Sequence, residues 1–197
     1  MRLFRCAVAV LAATVALPAH AEVSGLTENG FVSRNEATVP ASPGEAWLET
    51  VAINRWWSGD HTYSGDASNL YLDPQATGCF CEKLPVPKDA LPGQRMGSVE
   101  HAHVVYADPV RRVLRMTGGL GPLQGEAVHA TLTITFKPVE GGGTTIIWNY
   151  VVGGYMRMKL ADVAPLVDRV LAEQVQRLAA RLTPVGGGAS PDRAPLP

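Results

Sequence analysis

The feature that most limits how this chain can fold is a strict alternation in its second half. Val128, Ala130, Leu132, Ile134 and Phe136 are apolar, while His129, Thr131, Thr133, Thr135 and Lys137 between them are not. A period of two describes a strand with one face in a core and the other in water. Gly141-Gly142-Gly143 supplies a hairpin turn, and Ile146, Trp148, Tyr150 and Val152 return along one face. The period then changes. Val163, Leu166, Val167, Val170, Leu171, Val175, Leu178 and Leu182 recur at steps of three and four, the stripe of a helix that packs on a sheet. Asp162 is the expected N-cap, with Pro165 in the first turn, where its missing N–H costs little. From Thr183 the chain is rich in Gly, Pro and Ser, and 183–197 is expected to be a disordered tail.

Upstream, residues 22–30 are polar and Gly-containing, and are expected to be irregular. Residues 31–39 read as a first strand closed by Pro40. Ser42-Pro43-Gly44-Glu45 opens a helix: Ser42 caps, Pro43 takes the first helical position, and Glu45 completes a capping box. Ala46, Trp47, Val51 and Leu48 supply its apolar stripe. A second short helical turn follows at 54–57. Short strands are expected at 70–72, 79–82, 96–106 and 112–117, with loops at 85–93 and 118–125 marked by Pro and Gly. Strands in a run, with the long helix set apart at the end, indicate an α+β domain over 31–182. Its expected architecture is a curved antiparallel sheet of six or seven strands around a long C-terminal helix, with two short helices after the first strand.

The N-terminus bears on localisation. Met1–Arg5 carries two positive charges and no acid, Cys6–Leu17 is apolar, and Ala19-His20-Ala21 ends it with small residues at the −3 and −1 positions. Residues 1–21 therefore read as a secretory signal peptide, with a periplasmic or secreted mature chain. The apolar run is too short to span a bilayer, which needs about 20 residues, and Cys6 precedes it, where a lipoprotein signal would need it after. Removing Arg2 and Arg5 takes the basic count from 17 to 15 against 18 acidic residues. No basic patch stands out, so neither nucleic acid nor an integral membrane segment of the mature chain is expected, and no cofactor is implied.

Several segments resemble the SRPBCC superfamily, the helix-grip proteins that include START lipid-transfer domains, polyketide cyclases and dehydrases, and the birch-pollen allergen fold. The resemblance spans 31–182. It rests on Ala41-Ser42-Pro43-Gly44-Glu45-Ala46-Trp47, on Trp56-Trp57, on Gly97-Ser98-Val99 followed by Asp108-Pro109-Val110-Arg111-Arg112-Val113-Leu114, and on the closing hairpin and helix. These motifs mark a fold and not a chemistry. The resemblance implies a cavity between sheet and helix that holds a small hydrophobic or amphipathic molecule.

Trp56, Trp57, Met116, Trp148 and Tyr150 are the candidate walls of that cavity, with Tyr63, Tyr155, Met156 and Met158 also bulky; Trp and Tyr bring a polar handle and Met an adaptable surface. Ordinary core packing is the alternative for each. In Glu100-His101-Ala102-His103, a regular strand puts His101 and His103 on one face, expected to be the inner one. There they hold a ligand's polar end, or act as acid and base in a cyclase-, dehydrase- or hydrolase-like enzyme; core histidines are the alternative. Cys79 and Cys81 share a face too. A register matching Cys81 to His101 and Cys79 to His103 would gather a zinc-type ligand set, although the spacing matches no recognised zinc motif. A bridge between the two cysteines would need the strand to kink, because regular spacing sets them about 6.5–7 Å apart at Cα. Asp60-His61 and Glu126 with His129 carry weaker signals. Gly118–Gly125 lacks the Lys-Ser/Thr of a phosphate loop and is expected to be a mobile flap.

Overall fold

A computed structural model describes residues 20–184. The basic and apolar parts of the expected signal peptide, and the tail from 185, lie outside the described residues. Eight antiparallel strands form one sheet: β1 (His20–Ser24), β2 (Gly30–Val39), β3 (Leu70–Leu72), β4 (Cys79–Leu84), β5 (Gly97–Asp108), β6 (Val113–Thr117), β7 (Ala127–Pro138) and β8 (Thr144–Tyr155). Their order is β1-β2-β8-β7-β6-β5-β4-β3. Helix α1 (Pro43–Val51) and short 3-10 turns follow β2, and helix α2 (Leu160–Leu182) ends the domain. This is the α+β, helix-grip arrangement that the alternation and the terminal stripe require. The strand count is one above the expected range because of β1, which spans the last two residues of the expected signal peptide and the first three of the segment expected to be irregular. The residues of β1 pair along the edge of β2, with Val23 opposite Ser33 and packed against the core.

Each local signal has a physical counterpart. The Ser42 hydroxyl accepts the Glu45 N–H (3.3 Å), and the Glu45 carboxylate accepts the Ser42 N–H (2.9 Å), closing the capping box. The inner row of the sheet reads Phe31, Ser33, Asn35, Ala37 and Val39 on β2, facing Val152, Tyr150, Trp148, Ile146 and Thr144 on β8. Small side chains at Ser33, Asn35 and Ala37 let α2 lie close against β2. The contact is clasped by polar groups. Ser33 Oγ donates to Asp168 Oδ1 at 2.6 Å, and Asn35 Nδ2 donates to the same oxygen at 3.1 Å and to Ser33 Oγ at 2.9 Å. Further along α2, Gln174 Oε1 accepts the Ser58 N–H at 2.9 Å.

Three expectations need correction. Leu48 and Leu166 are exposed (63% and 51%), so neither belongs to its helix's buried stripe. The positions that complete the buried face of α2 include polar Asp168 and Gln174, which a hydrophobic periodicity passes over. The helix also starts earlier than expected. Lys159 is its N-cap residue, with its carbonyl accepting from Asp162 and Val163 (3.0 and 3.2 Å), and Pro165 falls in the second turn. There its missing N–H faces the exposed Ala161 side, where water can serve the carbonyl.

Asp168→Ala strands the Ser33 and Asn35 donors in the interface and is expected to lower stability by about 2–3 kcal/mol in urea unfolding. Leu166→Ser is expected to change it by less than about 0.5 kcal/mol, the behaviour of a surface position.

Candidate functional site

The five apolar side chains expected to wall a cavity are instead packed on one another. Trp56, Trp57, Met116, Trp148 and Tyr150 are all 6% exposed or less and belong to one contiguous core. Trp148 lies 5.9 Å from Trp56 and 6.4 Å from Trp57 between ring centroids, and Trp57 meets Phe80 edge-on at 5.0 Å. Most of their polar handles are spent on the backbone. Trp56 Nε1 donates to the Glu49 carbonyl (2.8 Å) and Trp57 Nε1 to the His61 carbonyl (3.0 Å). The Tyr150 hydroxyl donates to Gly118 O and accepts from Leu120 N, both at 2.9 Å, and burial pushes its pKa well up. These residues staple the short 3-10 turns and the glycine segment onto the sheet. Trp148 is the exception. Its Nε1, with Asn35 Oδ1 opposite on β2 and Gln174 Nε2 on α2, is buried without a partner among the described residues.

Two clefts open at the end of the sheet where β6 and β8 finish and β2 and β7 begin. The larger, about 810 Å³, is lined by Leu26–Asn29 and by Gly154–Ala161, including Tyr155, Met156, Met158 and Leu160. The smaller, about 340 Å³, is lined by Glu100, His101 and Ala102, by Thr117–Gly119, and by Leu123, Gln124, Glu126 and Val128. None of the five expected wall residues lines either. The two clefts meet at one ion pair. Arg157 of the larger gives Glu126 of the smaller its backbone N–H (2.8 Å), its Nε (3.1 Å) and a guanidinium N–H (2.8 Å). Arg157 holds the Glu126 carboxyl below its usual range. His129, paired in the sequence with Glu126, is exposed on β7.

The two histidines of β5 separate. Phe80 pairs with Ala102 and Cys81 with Glu100, so His101 is the extra residue of a β-bulge. The bulge shifts the alternation by one, which is why His101 is buried while His103 lies on the outer face, half exposed, 3.3 Å from Glu100. The expectation that both point inward is therefore wrong for His103. His101 Nε2 lies 2.9 Å from Glu82 Oε2, its ring stacked on Phe80 at 4.6 Å. Glu82, fully buried, also accepts the backbone N–H groups of Tyr63 (3.0 Å) and Ser64 (2.6 Å). Burial alone would raise the Glu82 carboxyl, but the hydrogen bonds from Ser64, Tyr63 and His101 outweigh it and lower it. Burial lowers the His101 imidazole against the opposing pull of Glu82. The result is a neutral imidazole oriented by an ionised carboxylate at the wall of a cleft.

The zinc-type set does not assemble. Cys79 pairs with His103 as the register required, but Cys81 pairs with Glu100, and the two sulfurs are bonded to each other. No cluster of metal-binding side chains occurs among the described residues. The glycine segment is not a free flap either. Gly121–Gly125 forms a 3-10 turn around buried Leu123, and Gln124 Nε2 donates to the Glu100 carbonyl at 2.6 Å. Gly118 is required there, since a Cβ would stand 2.5 Å from the His101 carbonyl. His61 pairs with Glu173 of α2 at 3.0 Å, a link between loop and helix. No helix of the described residues is long and apolar enough to cross a membrane.

No family model matches this chain, and no curated protein does. Solved structures do. The Zhui aromatase/cyclase from Streptomyces sp. R1128 superposes with a TM-score of 0.52 at 11% identity, over 77% of this chain and 92% of its own. The norcoclaurine synthase from Thalictrum flavum gives 0.51 at 14%, over 76% and 84%. Ara h 8.0201 gives 0.51 at 11%, over 77% and 96%. At such identities the likeness shows the fold: the chain is a helix-grip protein.

Because the folded His101 and Glu82 resist protonation more than the unfolded chain does, stability is present above their ordinary values and is lost on acidification. The thermal unfolding midpoint is expected to fall from about pH 6.5 downward through His101 and again below about 4.5 through Glu82. His101→Gln should remove the first step and leave the second. Glu82→Gln leaves buried donors on a weaker acceptor and should cost about 3 kcal/mol.

Proposed function

We propose that this protein binds a small amphipathic molecule in the larger cleft, at the point where β8 hands over to α2. The observation that carries this is the cleft itself. Its volume of about 810 Å³ lies within the range of small-molecule sites, and Leu26, Tyr155 and Met158 stand exposed around it. Methionines give a wall that conforms to an apolar body. Lys159, the uncapped start of α2 and the free N–H groups of Leu160 and Ala161 offer positive charge and donors to an acidic or acceptor end. In this reading the ligand lies at the mouth of the domain and not among the tryptophans. The shared fold with an aromatase/cyclase and a norcoclaurine synthase supports small-molecule handling by analogy of architecture.

Anilinonaphthalene sulfonate, an aromatic body with an anionic end, tests this. It is expected to bind the native protein and raise its melting temperature, since a ligand of the folded state alone stabilises by mass action. Met158→Glu should weaken binding at least tenfold. Absence of binding, or binding indifferent to Met158→Glu, would contradict the proposal.

A second function fits the smaller cleft. His101, neutral and oriented by Glu82, has the geometry of an acid–base group, as the cyclase- or hydrolase-like alternative requires. Turnover of a p-nitrophenyl ester should then follow the deprotonation of His101 and vanish in His101→Gln with the fold retained; unchanged turnover excludes it.

Export belongs to the same proposal. Cleavage after Ala21 would keep Glu22, Val23 and Ser24 paired to β2. N-terminal sequencing of the protein from its host should begin at Glu22; an intact Met1 would refute export.

A further inference from the structure

The Cys79–Cys81 bridge joins cysteines separated by one residue, with Cα atoms 5.4 Å apart. An extended strand would set them about 6.6 Å apart, so the bond coincides with a local contraction of β4. The register breaks at the same place, between Phe80 and Cys81, and the residue displaced on the neighbouring strand is His101. Phe80, enclosed by the bridge, is buried and stacks on the His101 ring. Bond, bulge and the His101–Glu82 pair form one contiguous unit.

As a structural crosslink the bond does little. Loop-closure stabilisation is smallest for the shortest loops, and the ladder already holds both cysteines: Cys79 against β5, and Cys81 against β5 and Tyr71 of β3. The two cysteines differ in exposure: Cys79 is partly exposed, on the same sheet face as half-exposed His103, whereas Cys81 is buried at 7%. The backbone leading into the pair is also held in an unusual conformation: Thr77, a β-branched residue, has φ 75.

We propose that Cys79–Cys81 is a reversible thiol–disulfide site that reacts with external dithiols at Cys79, and that its state sets the bulge holding His101 against Glu82. The thiolate of a dithiol attacks Cys79 Sγ. The Sγ–Sγ bond breaks, and Cys81 leaves as a thiolate that takes a proton from solvent. The reagent's second thiolate then closes on its own mixed-disulfide sulfur and releases Cys79. The dithiol is oxidised to a disulfide, and the protein gains two thiols. With the bond open, β4 can regain the pitch of a strand, and Phe80 carries that change to His101. The proposal concerns the smaller cleft and does not rest on ligand binding in the larger one.

The full-length native protein is treated with dithiothreitol, alkylated with iodoacetamide and digested; mapping the peptide that contains 79–81 separates it from Cys6. Two labels on that peptide are expected after reduction and none before, with a cooperative thermal transition retained. Oxidised glutathione added to the reduced protein before alkylation should re-form the bond and leave the peptide unlabelled. The His101 imidazole NMR signals, assigned with His101→Gln, should move on reduction while those of His129 stay. Cys79→Ser/Cys81→Ser should show the reduced His101 signals. Labelling that requires denaturant, unfolding on reduction, or His101 signals unmoved in both the reduced protein and the double variant would each overturn the proposal.

Discussion

The seat of α2 on β2 governs the rest of the structure. Three small inward residues, Ser33, Asn35 and Ala37, let the helix approach, and Asp168 fixes where along the strand it lands. An apolar stripe alone would let the helix slide, because hydrophobic burial has no direction; a carboxylate that accepts from two buried donors does not. With that contact set, the start of α2 comes to the end of β8, and Leu160 and Ala161 line a cleft there. The same placement leaves the tryptophans to fill the space beneath the helix.

Those tryptophans explain why a helix-grip domain of this sequence presents its openings at the end of the sheet. Trp56, Trp57 and Trp148 contact one another, and two of the three indole N–H groups donate to backbone carbonyls, Trp56 to Glu49 in α1 and Trp57 to His61 in a turn that follows it. Each hydrogen bond satisfies a donor that burial would otherwise leave costly. Tyr150 does the same for the glycine segment between β6 and β7. Aromatic bulk that reads as ligand wall in a sequence here packs the interior and pins loops, and the clefts form where side chains are sparse: along Gly118-Gly119 and around Gly154.

Much of the fold was legible because it rests on periodicity. The β7–β8 hairpin, the capping box at Ser42 and the amphipathic α2 each announce themselves in residue spacing, and each forms. What the spacing could not reveal were departures from regularity. The bulge at His101 turns His103 to the outer face and falls where the two cysteines bond; nothing local in Glu100-His101-Ala102-His103 marks it. Glu82 reads as an ordinary strand residue, since its partners, the N–H groups of Tyr63 and Ser64, are 19 and 18 positions away. Asp168 and Gln174 interrupt an apolar pattern and gain meaning only from what faces them. Of the residues singled out for the site, His101 lines a cleft, Trp148 keeps a free donor in the core, and Met156 and Met158 line the larger opening.

The proposed site holds an amphipathic molecule at the mouth of the domain and not beneath the helix. Methionine methyl NMR during titration with anilinonaphthalene sulfonate separates the two places, because Met156 and Met158 border the larger cleft while Met116 is buried in the core. The methyl signals of Met156 and Met158 should move with saturation while Met116 holds its position. A moving Met116 with Met156 and Met158 unchanged would place the ligand among the tryptophans and contradict the account.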